Sequence, residues 1–186
     1  KTYGGSLTHP LTLAQVLAPS RVPVYRLRHD SPAIATVARI VTGLVPNING
    51  LLAVWPAGLY THYALQVHLL NLPLMLSAKP QLRQRVALAM HYAARASGEQ
   101  YSAVQMTCFA LRCDIPEHVL RLNVFDSTQS SIVDVALRIA EAPSSLNSTS
   151  RSTFAGQLPP DHAEWIVLAL CFAGMLSKFA QLTTVE

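Results

Sequence analysis

Prolines stand where most of the predicted helices of this chain begin, and few stretches alternate apolar and polar residues as a strand would. Proline suits the first turn of a helix because its backbone angle is already helical and its missing N–H is not needed there. Four helix starts follow this rule, at Ser31-Pro32, Lys79-Pro80, Pro116 and Pro160. The sequence therefore predicts an all-α fold.

The predicted organisation is an irregular segment over residues 1–30, followed by one helical domain over residues 31–186. Its helices are predicted over residues 31–44, 49–70, 79–96, 97–113, 116–122, 132–142 and 160–182. Ser97 and Gln100 have the spacing of a capping box and are predicted to start the fourth of these helices. Residues 143–158, rich in Ser, Thr and Asn, are predicted to form a surface loop.

Residues 40–78 contain no Asp, Glu, Lys or Arg, which raises the question of a membrane span. Prolines and polar residues divide this stretch, and the apolar part of the last helix, residues 165–176, is too short to cross a bilayer. A buried helical hairpin is predicted instead of a membrane span. So much apolar surface on one small domain also predicts a homo-oligomer, with this stretch and the last helix at the subunit contacts.

The remaining composition argues against several classes of partner. The net charge is +4, but the basic residues are scattered, so no nucleic-acid surface is predicted. There is no Gly-rich phosphate loop and no HxxxH or HExxH spacing, so neither a nucleotide cofactor nor a metal is predicted. Cys108 and Cys171 lie in apolar surroundings and are predicted to be buried, inert thiols. The odd number of cysteines gives no disulfide framework, and a cytoplasmic location is favoured over secretion, with the compartment left open.

Three stretches of the sequence resemble a known family. They are RVALAMHYAARASGEQYSAVQMTCFALR at 85–112, DIPEHVLRL at 114–122 and MLSKFAQLTTVE at 175–186. Their order is similar to that of the alkylhydroperoxidase-D-like, carboxymuconolactone decarboxylase-like superfamily, and the resemblance covers roughly residues 35–186. It implies a helical domain of the alkylhydroperoxidase-D type that assembles into a homo-oligomer.

The same resemblance shows what this chain lacks. Redox members of the family open the central helix with CxxC, place a His four residues after the second Cys and carry a Glu on the preceding helix. Here Glu99 and Ser102 stand at the cysteine positions, Met106 at the histidine position and Ala87 near the glutamate position. Disulfide chemistry needs two thiols within reach of each other. The resemblance therefore implies the fold without the peroxidase activity.

The residues around this former redox position are the candidates for chemistry. Glu99 is predicted to act as a general base, with Tyr101, Gln105 and His91 steering the reaction. Five further residues are predicted to contact the substrate: Ser102, Met106, Tyr92, Trp55 and His62. The competing interpretations are that Glu99 only supports the helix start and that His91 is a half-buried imidazole with one hydrogen bond.

Two functions from different classes follow. The first is a cofactor-free, non-redox enzyme of lyase, isomerase, cyclase or decarboxylase type that acts on a mostly apolar organic substrate. The second is a non-catalytic binding or scaffolding subunit of the same fold. Polar groups at the former redox position favour the enzyme, because a purely structural core would hold Ala or Leu there.

Overall fold

The computed structural model describes residues 79–183, and this part of the chain is 83% helical and contains no strand. The predicted all-α character is therefore confirmed for these residues. The predictions for residues 1–78, which include Trp55 and His62, lie outside the described residues. The helices are α1 (Pro80–Ala96), α2 (Gln100–Arg112), α3 (Glu117–Leu122), α4 (Ser127–Glu141), α5 (Ser148–Gly156) and α6 (Pro160–Thr183), with a short 3₁₀ turn at Pro143–Ser145.

Helix α1 is the centre of the described fold, because α2, α4 and α6 all pack against it. Every side chain from Val86 to Ala94 is buried, so the helix has no solvent-facing side over this length. A helix that is buried all round needs small residues where its neighbours approach most closely. Ala87 and Ala89, with no exposed surface, meet this need. The predicted range of this helix, with Pro80 in its first turn, is confirmed.

The connection between α1 and α2 is a three-residue corner. Ser97 ends α1, and its hydroxyl donates to the carbonyl of Ala94 at 2.7 Å. Gly98 then turns the chain with φ of 69°, a left-handed angle that suits a residue without Cβ. Glu99 is the N-cap of α2. The predicted capping box of Ser97 and Gln100 is therefore wrong, because Ser97 belongs to the end of the preceding helix.

Helix α2 ends in a Schellman motif. The amide of Ile115 donates to the carbonyl of Ala110 at 3.2 Å, and the amide of Asp114 donates to the carbonyl of Leu111 at 3.1 Å. Asp114 has φ of 59°, an angle that Asp tolerates better than most residues. Arg83 of α1 holds the Asp114 carboxylate at 2.8 Å, so the turn between α2 and α3 is tied to the central helix.

Two predictions for the second half of the chain need correction. Helix α4 begins at Ser127, five residues earlier than predicted, because Asp126 and Gln129 form a capping box ahead of the apolar run. Residues 143–158 are not a loop: Asn147 caps α5 by accepting a hydrogen bond from the Ser150 amide at 2.8 Å. The buried ring of Phe154 anchors α5 against the rest of the fold. Capping and one aromatic contact outweigh the low helix propensity of Ser and Thr here.

Helix α6 runs for 24 residues and confirms the predicted range. It is longer than the apolar stretch at 165–176, and by length and composition alone residues 160–181 could cross a membrane. One such helix is weak evidence for a membrane span, because the core helix of a soluble protein meets the same criterion; 39% of this apolar window is buried in the structure. Its N-terminal half also carries Cys171, which is exposed rather than buried as predicted.

The other two cysteines also differ from each other. Cys108 is half-buried, so the prediction that it is a buried thiol is wrong. Cys113 is buried at the end of α2, and burial raises the pKa of its thiol to about 12. The thiolate of Cys113 is therefore not populated at neutral pH, and Cys108 and Cys171 are the thiols that reagents can reach.

Candidate functional site

His91 lies in the buried part of α1, facing α2. Its side chain is only 3% exposed, so it is more deeply buried than the half-buried imidazole considered from the sequence. The ring Nδ1 is 3.1 Å from the hydroxyl oxygen of Thr107 on α2. This contact joins two helices at a point where both backbones are held by their own hydrogen bonds, so the position of the ring is well defined.

The hydrogen bonds of Thr107 determine which nitrogen of His91 carries the proton. The Thr107 hydroxyl donates to the carbonyl of Ala103 at 2.7 Å, and a carbonyl can only accept. The single hydroxyl proton is thus used, and the hydroxyl oxygen must accept from His91. Nδ1 therefore carries the hydrogen of the neutral ring, and Nε2 carries a lone pair.

The Nε2 atom of His91 is buried and has no hydrogen-bond partner among residues 79–183. Most buried polar atoms in folded proteins are paired, so an unpaired one needs an explanation. Burial, and to a smaller extent the positive charge of Arg95, together lower the pKa of His91 to about 4. The ring is therefore neutral at pH 7, and Nε2 carries an unpaired lone pair.

An open groove of about 580 Å³ lies beside His91, between the C-terminal half of α1, the outer face of α2 and α3. Its apolar lining comes from Ala103, Val104, Leu111 and Leu120. His91 and Thr107 are part of the same wall, so the hydrogen-bonded pair lies at the groove surface. The groove thus combines an apolar lining with one imidazole.

Charged side chains line one side of this groove. Arg95 lies one turn after His91 on α1, and its guanidinium carbon is 5.7 Å from the centre of the Tyr92 ring. On α3, Glu117 and Arg121 form an ion pair at 3.1 Å. Because this pair is internally compensated, Arg95 gives the groove its net positive charge, which favours a ligand with an anionic or strongly polarised oxygen.

Glu99, the predicted general base, does not line this groove. Its two carboxylate oxygens accept from the backbone amides of Tyr101 at 2.8 Å and Ser102 at 2.5 Å. Two orphan amide groups at the start of α2 are thereby satisfied, and the negative charge lies at the positive end of the helix dipole. Both oxygens of Glu99 therefore have a structural role.

Three other predicted residues lie on the face of α2 that is turned into the core. Ser102, Gln105 and Met106 are all buried and do not line the groove. Gln105 is therefore not solvent-facing, and its Oε1 has no hydrogen-bond partner within residues 79–183. Ser102 and Gln105 thus face the core, whereas the groove lies on the other side of α2.

The two predicted tyrosines also have defined positions. The hydroxyl of Tyr92 donates to Asn123 Oδ1 at 2.7 Å, and the ring meets His91 edge to face at 4.8 Å. Burial raises the pKa of Tyr92, which keeps the phenol protonated. Tyr101 is half-buried in the first turn of α2. Tyr92 therefore supports one side of the His91 ring and fixes the end of α3.

Sequence analysis missed Thr107 and Arg95, although a signal for both is present. Arg95 follows His91 by four residues, which places the two side chains on one side of α1. On α2, Ala103, Thr107 and Leu111 also recur every four residues. Each spacing shows which side chains share one face of a helix, but only the folded structure shows which face of α2 contacts His91.

A second buried histidine lies at the other end of α1. His162 is 9% exposed, and its Nδ1 lies 2.7 Å from a guanidinium nitrogen of Arg85. Arginine can only donate, so Nδ1 of His162 accepts. Burial and the Arg85 charge both lower the pKa of His162. Within residues 79–183, no group of three His, Cys, Asp or Glu side chains is placed to hold a metal ion.

Comparisons with known proteins give no relative. No protein-family model, no curated protein and no solved structure matches this chain. The alkylhydroperoxidase-D resemblance therefore stays a prediction.

Proposed function

We propose that this chain is a cofactor-free, non-redox acid–base enzyme in which Nε2 of His91, rather than Glu99, is the proton acceptor. The observation that carries the proposal is the buried Nε2 of His91, which has no hydrogen-bond partner among the described residues, in a side chain that is part of the wall of an apolar groove. Thr107 fixes the tautomer of His91, in the way that a catalytic base is often oriented by a further hydrogen-bonding side chain.

The proposed substrate is a mostly apolar organic molecule with a carbonyl or carboxylate oxygen. The hydrocarbon part would lie against Val104, Leu111 and Leu120. The oxygen would face Arg95, whose guanidinium stabilises negative charge that develops when a neighbouring C–H or O–H proton is removed. In such a molecule the acidic proton would face Nε2 of His91, and the charged oxygen would face Arg95.

The low pKa of His91 favours reactions in which the proton is returned. Nε2 takes the proton, and the imidazolium that forms is a strong acid because its pKa is about 4. It gives the proton back to another atom of the same molecule, either a different carbon or a leaving group. Isomerisation and elimination have this form, so isomerase and lyase chemistry are preferred within the proposal.

The alkylhydroperoxidase-D-like arrangement of the helices is part of the same proposal. Its support is the order of the three resembling stretches together with the all-α character of residues 79–183. In this interpretation the fold keeps its helical frame, while the chemistry moves from the core-facing side of α2 to the side that faces His91.

Proton exchange tests the enzyme proposal without knowledge of the natural substrate. The full chain is incubated in D₂O with a panel of apolar ketones and carboxylic acids, and mass spectrometry measures deuterium gained beside the carbonyl. His91→Asn keeps a donor for Thr107 but has no atom at the Nε2 position, and it should slow exchange on the order of 10²–10⁴-fold. Glu99→Gln is the matched control and should exchange at the wild-type rate. If Glu99→Gln lost deuterium exchange while His91→Asn kept it, Glu99 would be the general base and the proposal would be wrong.

One observation favours the alternative, a non-catalytic binding subunit. A pKa of about 4 is far from the value near 7 that suits a general base at neutral pH. In this function Nε2 accepts a hydrogen bond from a ligand hydroxyl and no proton is transferred. Binding of a panel member that is weakened by His91→Asn, with no deuterium gained by any panel member, would identify this function.

A further inference from the structure

The two sides of α6 differ in burial. Ile166, Ala169, Leu170 and Ala173 are buried against the rest of the fold. The opposite side is exposed and carries three large apolar side chains, with Val167 at 41%, Leu168 at 40% and Met175 at 46% exposure. These side chains and their neighbours are here called the outer stripe: Glu164, Val167, Leu168, Cys171, Met175 and Lys178, all exposed.

The outer stripe has the spacing of a helix-pairing seam. Glu164, Leu168, Cys171, Met175 and Lys178 follow one another at alternating steps of four and three residues. This is the spacing of the apolar positions at which two helices pack side by side. Exposed apolar side chains that form one contiguous row mark an interaction surface more often than scattered ones do.

The residues of the outer stripe are arranged symmetrically about Cys171, so that the stripe is complementary to a second, antiparallel copy of itself. Seven residues before Cys171 stands Glu164, and seven residues after it stands Lys178. Val167 and Met175 lie four residues before and after Cys171, while Leu168 and Gly174 lie three residues before and after it. Within residues 79–183, and apart from the chain neighbours of Gly174 and the adjacent backbone of α6, no atom lies within 4 Å of a Cβ built on Gly174, so the described residues leave space there for a larger side chain from outside.

We infer that the outer stripe of α6 binds the same stripe of a second copy of this chain, antiparallel, with a two-fold axis at Cys171. Such a contact is isologous, so each pairing occurs twice. Glu164 of each copy meets the partner's Lys178, Val167 meets the partner's Met175, and Leu168 fills the space at the partner's Gly174. In a parallel pair like charges would face each other, so charge selects the antiparallel orientation.

Cross-linking at the axis tests the geometry. Cys108→Ser leaves Cys171 as the reachable thiol among residues 79–183, since Cys113 is buried. A short bismaleimide adds one thiol at each end, so a covalent dimer of the full chain requires two Cys171 side chains close together. The expected result is rapid formation of dimer, which is lost in Cys108→Ser/Cys171→Ser. A slow reaction that depends on collision, with a rate that rises with protein concentration, would overturn the inference.

Charge exchange tests the orientation. Glu164→Lys or Lys178→Glu puts like charges together twice, and sedimentation equilibrium should show the dimer dissociation constant raised on the order of tenfold. The double variant Glu164→Lys/Lys178→Glu restores opposite charges and should bring the dissociation constant back near the wild-type value. Both substitutions are at exposed positions, and circular dichroism checks that the helix content is unchanged in all three variants. A double variant weaker than both single variants would overturn the inference.

Other occupants of the stripe give distinct results, and each overturns the inference. A monomer whose Cys171 resists maleimide has the stripe covered by its own chain. A monomer that sediments with phosphatidylcholine vesicles and loses this binding in Met175→Asp uses the stripe on a lipid surface.

Discussion

His91 and His162 are both buried, the first on α1 and the second against it, yet their hydrogen-bond partners leave the two rings in different chemical states. His162 accepts a hydrogen bond from Arg85 at 2.7 Å, and that cation faces the ring permanently. His91 donates to Thr107 and keeps an unpaired lone pair, with Arg95 close enough to lower its pKa but not hydrogen-bonded to it among the described contacts. In the proposed function, the unpaired lone pair of His91 beside a groove, and not burial, distinguishes it from His162.

The largest expected effect is a difference in deuterium exchange rate between substitutions of the two histidines. In the D₂O assay, His91→Asn should lose exchange on the order of 10²–10⁴-fold, because the proton acceptor is removed. His162→Asn should leave the rate within about twofold, since its ring lies at the other end of α1 and takes no part in general-base catalysis. Equal losses in both variants would mean that either change disturbs the fold, and circular dichroism would reveal this.

Acid should destabilise the protein through both rings. The ordinary pKa of His91 is 6.5 and its folded value is about 4, so between these pH values the unfolded chain binds a proton that the folded chain does not. Stability should therefore be level above about pH 6.5 and fall as the pH drops towards 4. Urea unfolding at a series of pH values measures this slope. His91→Asn should make it shallower, and an unchanged slope in that variant would contradict the assigned environment of His91.

Thr107→Val should remove the one hydrogen bond of the His91 ring, so that neither Nδ1 nor Nε2 has a partner among the described residues. Valine matches threonine in shape but cannot accept from Nδ1, so a buried donor is left unsatisfied at a cost of about 1–3 kcal/mol. The free energy of unfolding measures the cost, and ¹⁵N chemical shifts of the ring report the tautomer. The shifts should show Nδ1 protonated in the wild type and a mixture of tautomers in the variant.

Glu99→Gln should have the smallest effect. The amide oxygen of glutamine can still accept from one backbone N–H, so the loss is one cap hydrogen bond and the charge at the helix dipole, under about 1 kcal/mol. Ser97→Ala is the matched change at the end of α1, where the hydroxyl donates to the Ala94 carbonyl. A loss of several kcal/mol in thermal or urea unfolding of Glu99→Gln would show that its carboxylate does more than cap α2.

Parts of the fold were predictable because single residues determine them. Pro80 and Pro160 marked the starts of α1 and α6, and Pro116 marked the start of α3. The corner at 97–99 was misjudged because Ser97 is a preferred type of N-cap residue and Glu99 is not, and only the path of α1 shows that Ser97 belongs to its end. Helix α5 was missed because its stability comes from the Asn147 cap and the contacts of Phe154, which composition does not reveal.

The site was less predictable than the fold. Sequence analysis included His91 but gave the central role to Glu99, because the resemblance directs attention to the first turn of α2 and to its core-facing side. The pairing of His91 with Thr107 joins residues 16 apart on two helices, and its existence depends on the rotation of α2 about its axis. That rotation is set by packing against α1, which a single sequence does not encode in any local pattern.

The position of α1 between α2, α4 and α6 has a consequence for how the molecule opens. An amide proton of α1 can exchange with solvent only when at least two neighbouring helices separate from it, so we expect exchange there through complete unfolding. Helix α5, with one buried anchor and mostly exposed side chains, can detach on its own and should exchange far sooner. The groove beside His91 has α1 as one wall, so its shape should persist through the local openings that occur elsewhere in the described chain.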